Sequence, residues 1–143
     1  MHQKIPCKNP FEHLLGYHLR RLSMLVMADF TEALAPLDLK PAEASILYII
    51  HARAGLTQSE IGKMLGIQRA NMAPLIAGLM HRGLVQRQKV DGRSQALTLT
   101  AAGETARLAT IAANAAHEDR MFGTLKPADR EKLIKQLRTL WEK

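Results

Sequence analysis

The sequence predicts a mainly α-helical chain with a small β-wing: a winged helix-turn-helix of six helices, assembled as an intertwined dimer. Three observations lead there. Apolar residues recur at helical spacing along most of the chain. The period switches once, between residues 84 and 99, to the alternation of two short strands about Asp91-Gly92. Two short helical segments separated only by Gly66-Ile67-Gln68 stand just before that hairpin.

Each element follows from local signals. Pro10 opens a stretch with Phe11, Leu14, Leu15, His18, Leu22 and Leu25 on a helical stripe, and Pro36 ends it. Pro41 occupies a first helical position with Glu43 in the first turn, and the helix runs through Ile46, Leu47 and Ile50 to a stop at Gly55. Thr57-Gln58-Ser59-Glu60 is a capping box. The Thr57 hydroxyl can accept from the Glu60 amide while the Glu60 carboxylate reaches back to the Thr57 amide. A short helix with Ile61 and Leu65 follows, and Gly66 closes it. Met72, Leu75, Ile76, Leu79 and Met80 then mark an amphipathic helix that ends at His81-Arg82-Gly83. Residues 84–90 and 95–99 read as the hairpin strands. Thr100 can cap an Ala-rich helix to about Phe122, broken at Gly123, and Pro127 starts a last helix carrying Leu133, Leu137, Leu140 and Trp141.

With 143 residues, the chain suits one compact domain spanning 1–143. A winged lobe is expected at about 37–100, and dimerisation helices at about 8–35 and 101–143. A hydrophobic content of 47% against 23% charged residues is that of a globular protein. No apolar run approaches the roughly 20 residues that span a bilayer, so no membrane association is expected. The opening MHQKIPCKNP lacks a signal-type apolar region, and the expected location is cytoplasmic. One cysteine, Cys7, rules out an intrachain disulfide framework and a multi-cysteine metal knuckle.

Charge points to a polyanion. Twenty Lys and Arg against thirteen Asp and Glu give +7. Residues 36–100 carry eight bases and four acids, and the excess lies within 57–93, where Lys63, Arg69, Arg82, Arg87, Lys89 and Arg93 face only Glu60 and Asp91. The helix pair with a basic hairpin supplies the geometry for double-stranded DNA. A major groove about 12 Å wide admits one helix while the first helix of the pair braces against the backbone. The second helix, about 69–82, turns its apolar side inward and leaves Gln68, Arg69 and Asn71 near its N-terminus. Arg suits guanine O6/N7 and Asn suits adenine N6/N7. Thr57, Gln58 and Ser59 stand at the first helix's N-terminus, where amides and the helix dipole favour a phosphate. Arg87 and Ser94 lie on the hairpin, and Arg93 sits at its tip within reach of a minor groove. Three long amphipathic helices flank this lobe, more apolar surface than it can bury. Phe11, Leu108, Ile111, Ala115 and Phe122, with Leu133, Leu137, Leu140 and Trp141, are the expected homodimer interface.

The run from Leu84-Val85 through Asp91-Gly92-Arg93-Ser94-Gln95-Ala96-Leu97-Thr98-Leu99-Thr100-Ala101-Ala102-Gly103 resembles the wing of the MarR family of bacterial transcription regulators. Thr57-Gln58-Ser59-Glu60-Ile61 and Leu79-Met80-His81-Arg82-Gly83-Leu84-Val85 are similar to that family too, and the likeness covers nearly the whole chain. It implies a homodimer on a pseudo-palindromic operator, with Asp91 bracing Arg93 in the minor groove. It also implies a repressor released when a small aromatic ligand enters a pocket between the dimer helices and the DNA lobe. Candidate lining is Tyr17, His18, Arg21, Met24, Tyr48 and His51, whose imidazole and guanidinium groups would suit an anion. The segment from Arg69 to Leu75, RANMAPL, resembles the branch that responds to hydroxycinnamoyl-CoA thioesters, so an aromatic acid or its CoA thioester is the expected effector. Ala73-Pro74 departs from the polar residues that many relatives carry there. Either Pro74 kinks the helix, or the helix begins near Asn71 and Pro74 falls in its first turn.

Other readings are weaker. Cys7, with Lys4 and Lys8 beside it, would make a redox-sensing repressor, yet the chain has no second cysteine to resolve an oxidised thiol. A sequence-independent DNA-coating protein would share the charge. No metal site is expected from His2, His13, His18, His51, His81 and His117, since none forms a tight ligand motif. No catalytic motif or cofactor loop is present, so neither an enzyme nor a cofactor is expected.

Overall fold

The computed structural model describes residues 8–92 and 94–142. Six α-helices and one hairpin follow in the order α1 (Leu15–Leu34), a 3-10 turn (Ala35–Leu37), α2 (Pro41–Ala52), α3 (Gln58–Leu65), α4 (Arg69–His81), β1 (Val85–Lys89), β2 (Gln95–Leu99), α5 (Ala101–Phe122) and α6 (Pro127–Trp141). The first helix begins later than Pro10 suggests. Asn9 Oδ1 accepts from the Phe11 amide at 3.0 Å, and the Leu14 amide donates to the Phe11 carbonyl at 2.9 Å. These local turns hold residues 9–13 out of the helix.

Caps form where the sequence carries them. The Thr57 amide donates to Glu60 Oε2 at 2.8 Å and the Glu60 amide to Thr57 Oγ1 at 3.3 Å. Gly66 ends α3 in the left-handed region at φ 65°, a conformation open to glycine at no steric cost. Thr100 Oγ1 accepts from the Gly103 amide at 3.0 Å and starts α5. The recognition-type helix α4 runs unbroken from Arg69 to His81 with Pro74 as its sixth residue, so of the two alternatives the proline lies in the interior.

The core gathers under α2, α3, α4 and the hairpin. Leu34, Ile46, Leu47, Ile61, Met72, Ile76, Leu79 and Leu97 are the most completely enclosed side chains. Two glycines permit close crossings. A Cβ on Gly62 would stand 2.9 Å from Met72 Cγ and 3.2 Å from the Ile67 carbonyl oxygen, so α3 and α4 can meet only without one. A Cβ on Gly103 would fall 1.9 Å from the Leu84 carbonyl oxygen, where α5 leaves the wing. β1 and β2 pair antiparallel with Val85 opposite Leu99 and Lys89 opposite Gln95. The segment before α3 adds a short third edge, with the Leu97 amide donating to the Leu56 carbonyl at 3.0 Å and Thr57 bridged to Ala96.

Outside this lobe the chain is open. α1 packs on α5 through its C-terminal half, tied by Asp29, which accepts from His117 Nδ1 at 2.7 Å and from Arg120 Nη2 at 2.8 Å. α6 buries none of its residues and is tied to α5 by the Arg130–Glu118 ion pair. Phe11, Leu108, Ile111, Leu133, Leu140 and Trp141 are exposed in the single chain, Trp141 by 69%, while Phe122 and Leu137 are half-buried. Among the described residues no helix is long and apolar enough to cross a membrane.

Candidate nucleic-acid interface and effector cavity

Two concave regions stand out, each using part of α3. The first lies between α3, the N-terminus of α4 and the wing. It brings together Thr57, Gln58, Ser59, Arg69, Arg87 and Ser94. The capping box fixes the start of α3 so that Gln58 and Ser59 open toward this face, and Gln58 Oε1 accepts from Arg87 Nη2 at 3.0 Å across to β1. The box also holds the Glu60 carboxyl below its ordinary range, through the hydrogen bonds from Thr57. Glu60 therefore stays ionised and occupied at the cap. Lys63 joins the same concavity. It was not singled out as a contact from the sequence, although it stands one helical turn beyond Ser59 on the same face.

Gln68 and Asn71 are exposed at the start of α4 but do not line this concavity. The exposed residues of α4 beyond them are Ala73, Pro74, Ala77, Met80 and His81, so the four positions before His81 offer no hydrogen-bonding side chain. In the wing, Asp91 Oδ1 accepts from the Ser94 amide at 2.7 Å and shapes the tip. Arg93, the expected minor-groove residue, and Cys7, the residue of the alternative redox reading, lie outside the described residues.

The second region is a half-open cavity of about 490 Å3 lined by residues of α1, α2, α3 and α5, with Tyr48, Ile111 and Asn114 exposed at its mouth. Its apolar walls are Phe30 of α1, Ala44 and Ile49 of α2, Leu65 of α3, and Ile111 and Ala115 of α5. Its polar groups are Ser45, Tyr48, Thr110 and Asn114. The size lies within the range of small-molecule sites. Of the six residues expected from the sequence to line a ligand pocket, Tyr48 is on this wall and the other five are not.

The reasons are visible. Tyr17 stacks on Phe11 at 5.6 Å and its hydroxyl accepts from Asn9 Nδ2 at 2.9 Å, while His18 Nε2 hydrogen-bonds the Glu12 carbonyl at 2.7 Å. Both are held in a knot at the start of α1. Arg21 and Met24 are exposed on the open half of that helix. His51 turns away to Glu104, with Nδ1 3.3 Å from Oε2.

Two charge clusters flank the cavity on α5. Arg107, only 6% exposed, donates from Nε to Glu104 Oε2 at 2.9 Å, and this hydrogen bond is the main reason the Glu104 carboxyl lies below its ordinary range. His117, 3% exposed, stacks on Phe30 with ring centroids 4.9 Å apart and shares Asp29 with Arg120. Those bonds, Arg120's first, lower the Asp29 pKa from 3.8 to about 2. Among the described residues no three His, Cys, Asp or Glu side chains converge as a metal site.

Comparison with known proteins agrees with this architecture. Residues 37–94 match the model of the MarR family. A protein of Thauera aromatica assigned to regulation of the hcr operon is 28% identical over 131 residues, which cover 89% of this chain and 78% of that protein. The transcriptional repressor CouR, solved with p-coumaroyl-CoA, is 34% identical with a TM-score of 0.83, covering 94% of this chain and 96% of that one. CouR solved with a 23-mer DNA duplex gives the same identity and a TM-score of 0.84, covering 94% of this chain and 99% of that one. With its winged helix-turn-helix, its six helices in order and a likeness that spans both chains almost entirely, this chain belongs to the MarR family of transcription regulators.

Proposed function

We propose that this protein is a homodimeric repressor that binds a pseudo-palindromic operator and is released by an aromatic acid or an aromatic acyl-CoA thioester. The observation that carries the reading is the near full-length likeness to CouR, a repressor solved both on a DNA duplex and with p-coumaroyl-CoA. The two concave regions supply a site for each partner in this chain. α3 and the wing offer Thr57, Gln58, Ser59, Lys63 and Arg87 to the phosphate backbone, where cations and amides fix register. Gln68, Arg69 and Asn71 at the start of α4 read base edges, and Arg93 of the wing sequence is the candidate for the minor groove.

The exposed apolar residues of α1, α5 and α6 support a second copy as the other half of the structure, since a monomer leaves Leu108, Leu133, Leu140 and Trp141 in water. The cavity lies between those helices and the DNA lobe, so a ligand that changes how α1 and α5 meet α2 would alter the spacing of the two recognition helices. Release then follows from the ligand's differential affinity for the two arrangements.

Selection of duplexes from a random pool tests the DNA half of the reading. A two-fold-related consensus, bound with a steep salt dependence, is expected. Recovery of duplexes without a common sequence would replace the reading with that of a DNA-coating protein.

A further inference from the structure

Past Asn71 the exposed side of α4 changes character. Between Asn71 and His81 its exposed residues are Ala73, Pro74, Ala77 and Met80, and none carries a side-chain nitrogen or oxygen. Ala70, Pro74, Ala77 and His81 recur at i, i+4, i+7 and i+11. They share the side of the helix away from the buried Met72, Ile76 and Leu79. The helix from Asn71 to His81 extends about 15 Å, or roughly four base-pair steps of duplex. Arg69, one turn before Ala73, lines the concavity that holds Lys63 and Arg87, so the apolar stretch continues the face proposed for DNA.

Pro74 argues separately for an external use. An interior proline costs the helix a hydrogen bond, and here the residue is exposed rather than packed in the core. A local rule broken without a gain in packing marks a position kept for function.

A hydrocarbon surface in a major groove has one group to read. The donors and acceptors of the base edges need polar partners, and among the four bases only thymine presents a methyl group there. Short side chains also let a helix approach the groove floor closely enough for carbon–carbon contact at about 4 Å.

We propose that the outer face of α4, Pro74 together with Ala70 and Ala77, selects thymine by packing on its 5-methyl group, beside the bases read by Arg69 and Asn71. The inference rests on the DNA reading above and extends it from hydrogen-bonded bases to methyl-bearing ones. Each operator half-site then carries thymine within about four base pairs of the pair contacted by Asn71, its methyl turned toward α4.

Deoxyuridine removes that methyl and leaves the hydrogen-bonding edge as it was. Thymines of the duplex selected from the random pool are replaced one symmetry-related pair at a time, and binding to the full chain is followed by fluorescence anisotropy at fixed salt. One buried methyl is worth about fourfold in affinity, so a pair that loses one in each half-site should bind about 15-fold more weakly. At least one pair should show this loss. Pro74→Ala puts a strong helix former in the helix and should fold as judged by thermal melting. In that variant the uracil penalty at one pair should shrink to within about threefold.

A selected half-site without thymine, or uracil tolerated at every thymine of a sequence-selective complex, would overturn the inference while the regulator reading stands. A penalty of equal size in wild type and Pro74→Ala would place the methyl's effect in the shape of the duplex and overturn the contact. Recovery of duplexes without a common sequence would remove the DNA reading along with this inference.

Discussion

Pro74 is the most unusual residue of α4, and removing it should stabilise the protein. It is the sixth residue of α4 and exposed, with Met72 and Ile76 buried on the opposite side. Lacking an amide hydrogen, it leaves the Ala70 carbonyl without its partner one turn on, and its ring crowds that carbonyl. An interior proline costs about 3 kcal/mol relative to alanine. Against this, alanine frees the unfolded chain by about 0.4–1 kcal/mol. Pro74→Ala should therefore gain about 2 kcal/mol, since an exposed ring takes little packing with it. With a urea slope of about 2 kcal/mol/M, the midpoint should rise by about 1 M at constant protein concentration, with the slope unchanged. A midpoint that stays or falls would refute the argument. It would mean that a bend at Pro74 is needed to seat Leu75 and Ile76, and that straightening α4 strains the core.

Three further outcomes follow from named contacts. Gly103→Ala should be destabilised by several kcal/mol or fail to accumulate folded, because the added carbon meets the Leu84 backbone oxygen at 1.9 Å and α5 must shift off the wing; circular dichroism melting checks it, and a wild-type melt would sink the claim. Asp29 has a folded pKa of about 2 against 3.8, so its bonds to Arg120 and His117 contribute fully above the unfolded value and are lost as pH falls from about 3.8 toward 2. Asp29→Asn should lower stability at neutral pH and flatten this acid-side loss, read by urea unfolding across that window; an identical acid profile in the variant would show the tie to be unimportant. Asn71→Ala should relax base choice at one operator position by about 1–3 kcal/mol, measured on single-base duplex variants, whereas a uniform loss on every duplex would make Asn71 a phosphate contact.

What could be read from the sequence was what depends on neighbours a few residues apart. The Thr57–Glu60 box, the Thr100 cap, the glycine stop at Gly66 and the switch to strand period at residue 84 each rest on short-range chemistry, and the structure forms each. The grouping of Thr57, Gln58, Ser59 and Arg69 around one concavity was legible for the same reason, since they lie close along the chain and a capped helix brings them to one side.

The cavity was not legible, because it depends on how α1 and α5 cross α2. Phe30 reads in sequence as one more core aromatic and Asn114 as an interruption in an Ala-rich helix. Neither signals a cavity wall until the crossing is known. Tyr17 and His18 do not line this cavity, since Phe11, Asn9 and the Glu12 carbonyl hold them at the start of α1. His117 illustrates the limit well. Its sequence neighbours Glu118 and Asp119 point elsewhere on the helix, and its actual partner, Asp29, is 88 residues away. The placement of Ile111 shows a further ambiguity, as one exposed apolar residue serves both the expected dimer face and the cavity wall.

The most direct test of the whole account is fluorescence anisotropy of a labelled duplex taken from upstream of this protein's own gene, titrated with protein and then with p-coumaroyl-CoA, beside a scrambled duplex. The account predicts tight binding to the first duplex alone, two protein chains per site, and release by the thioester. Equal binding to both duplexes, or a selective complex that p-coumaroyl-CoA leaves intact, would contradict it.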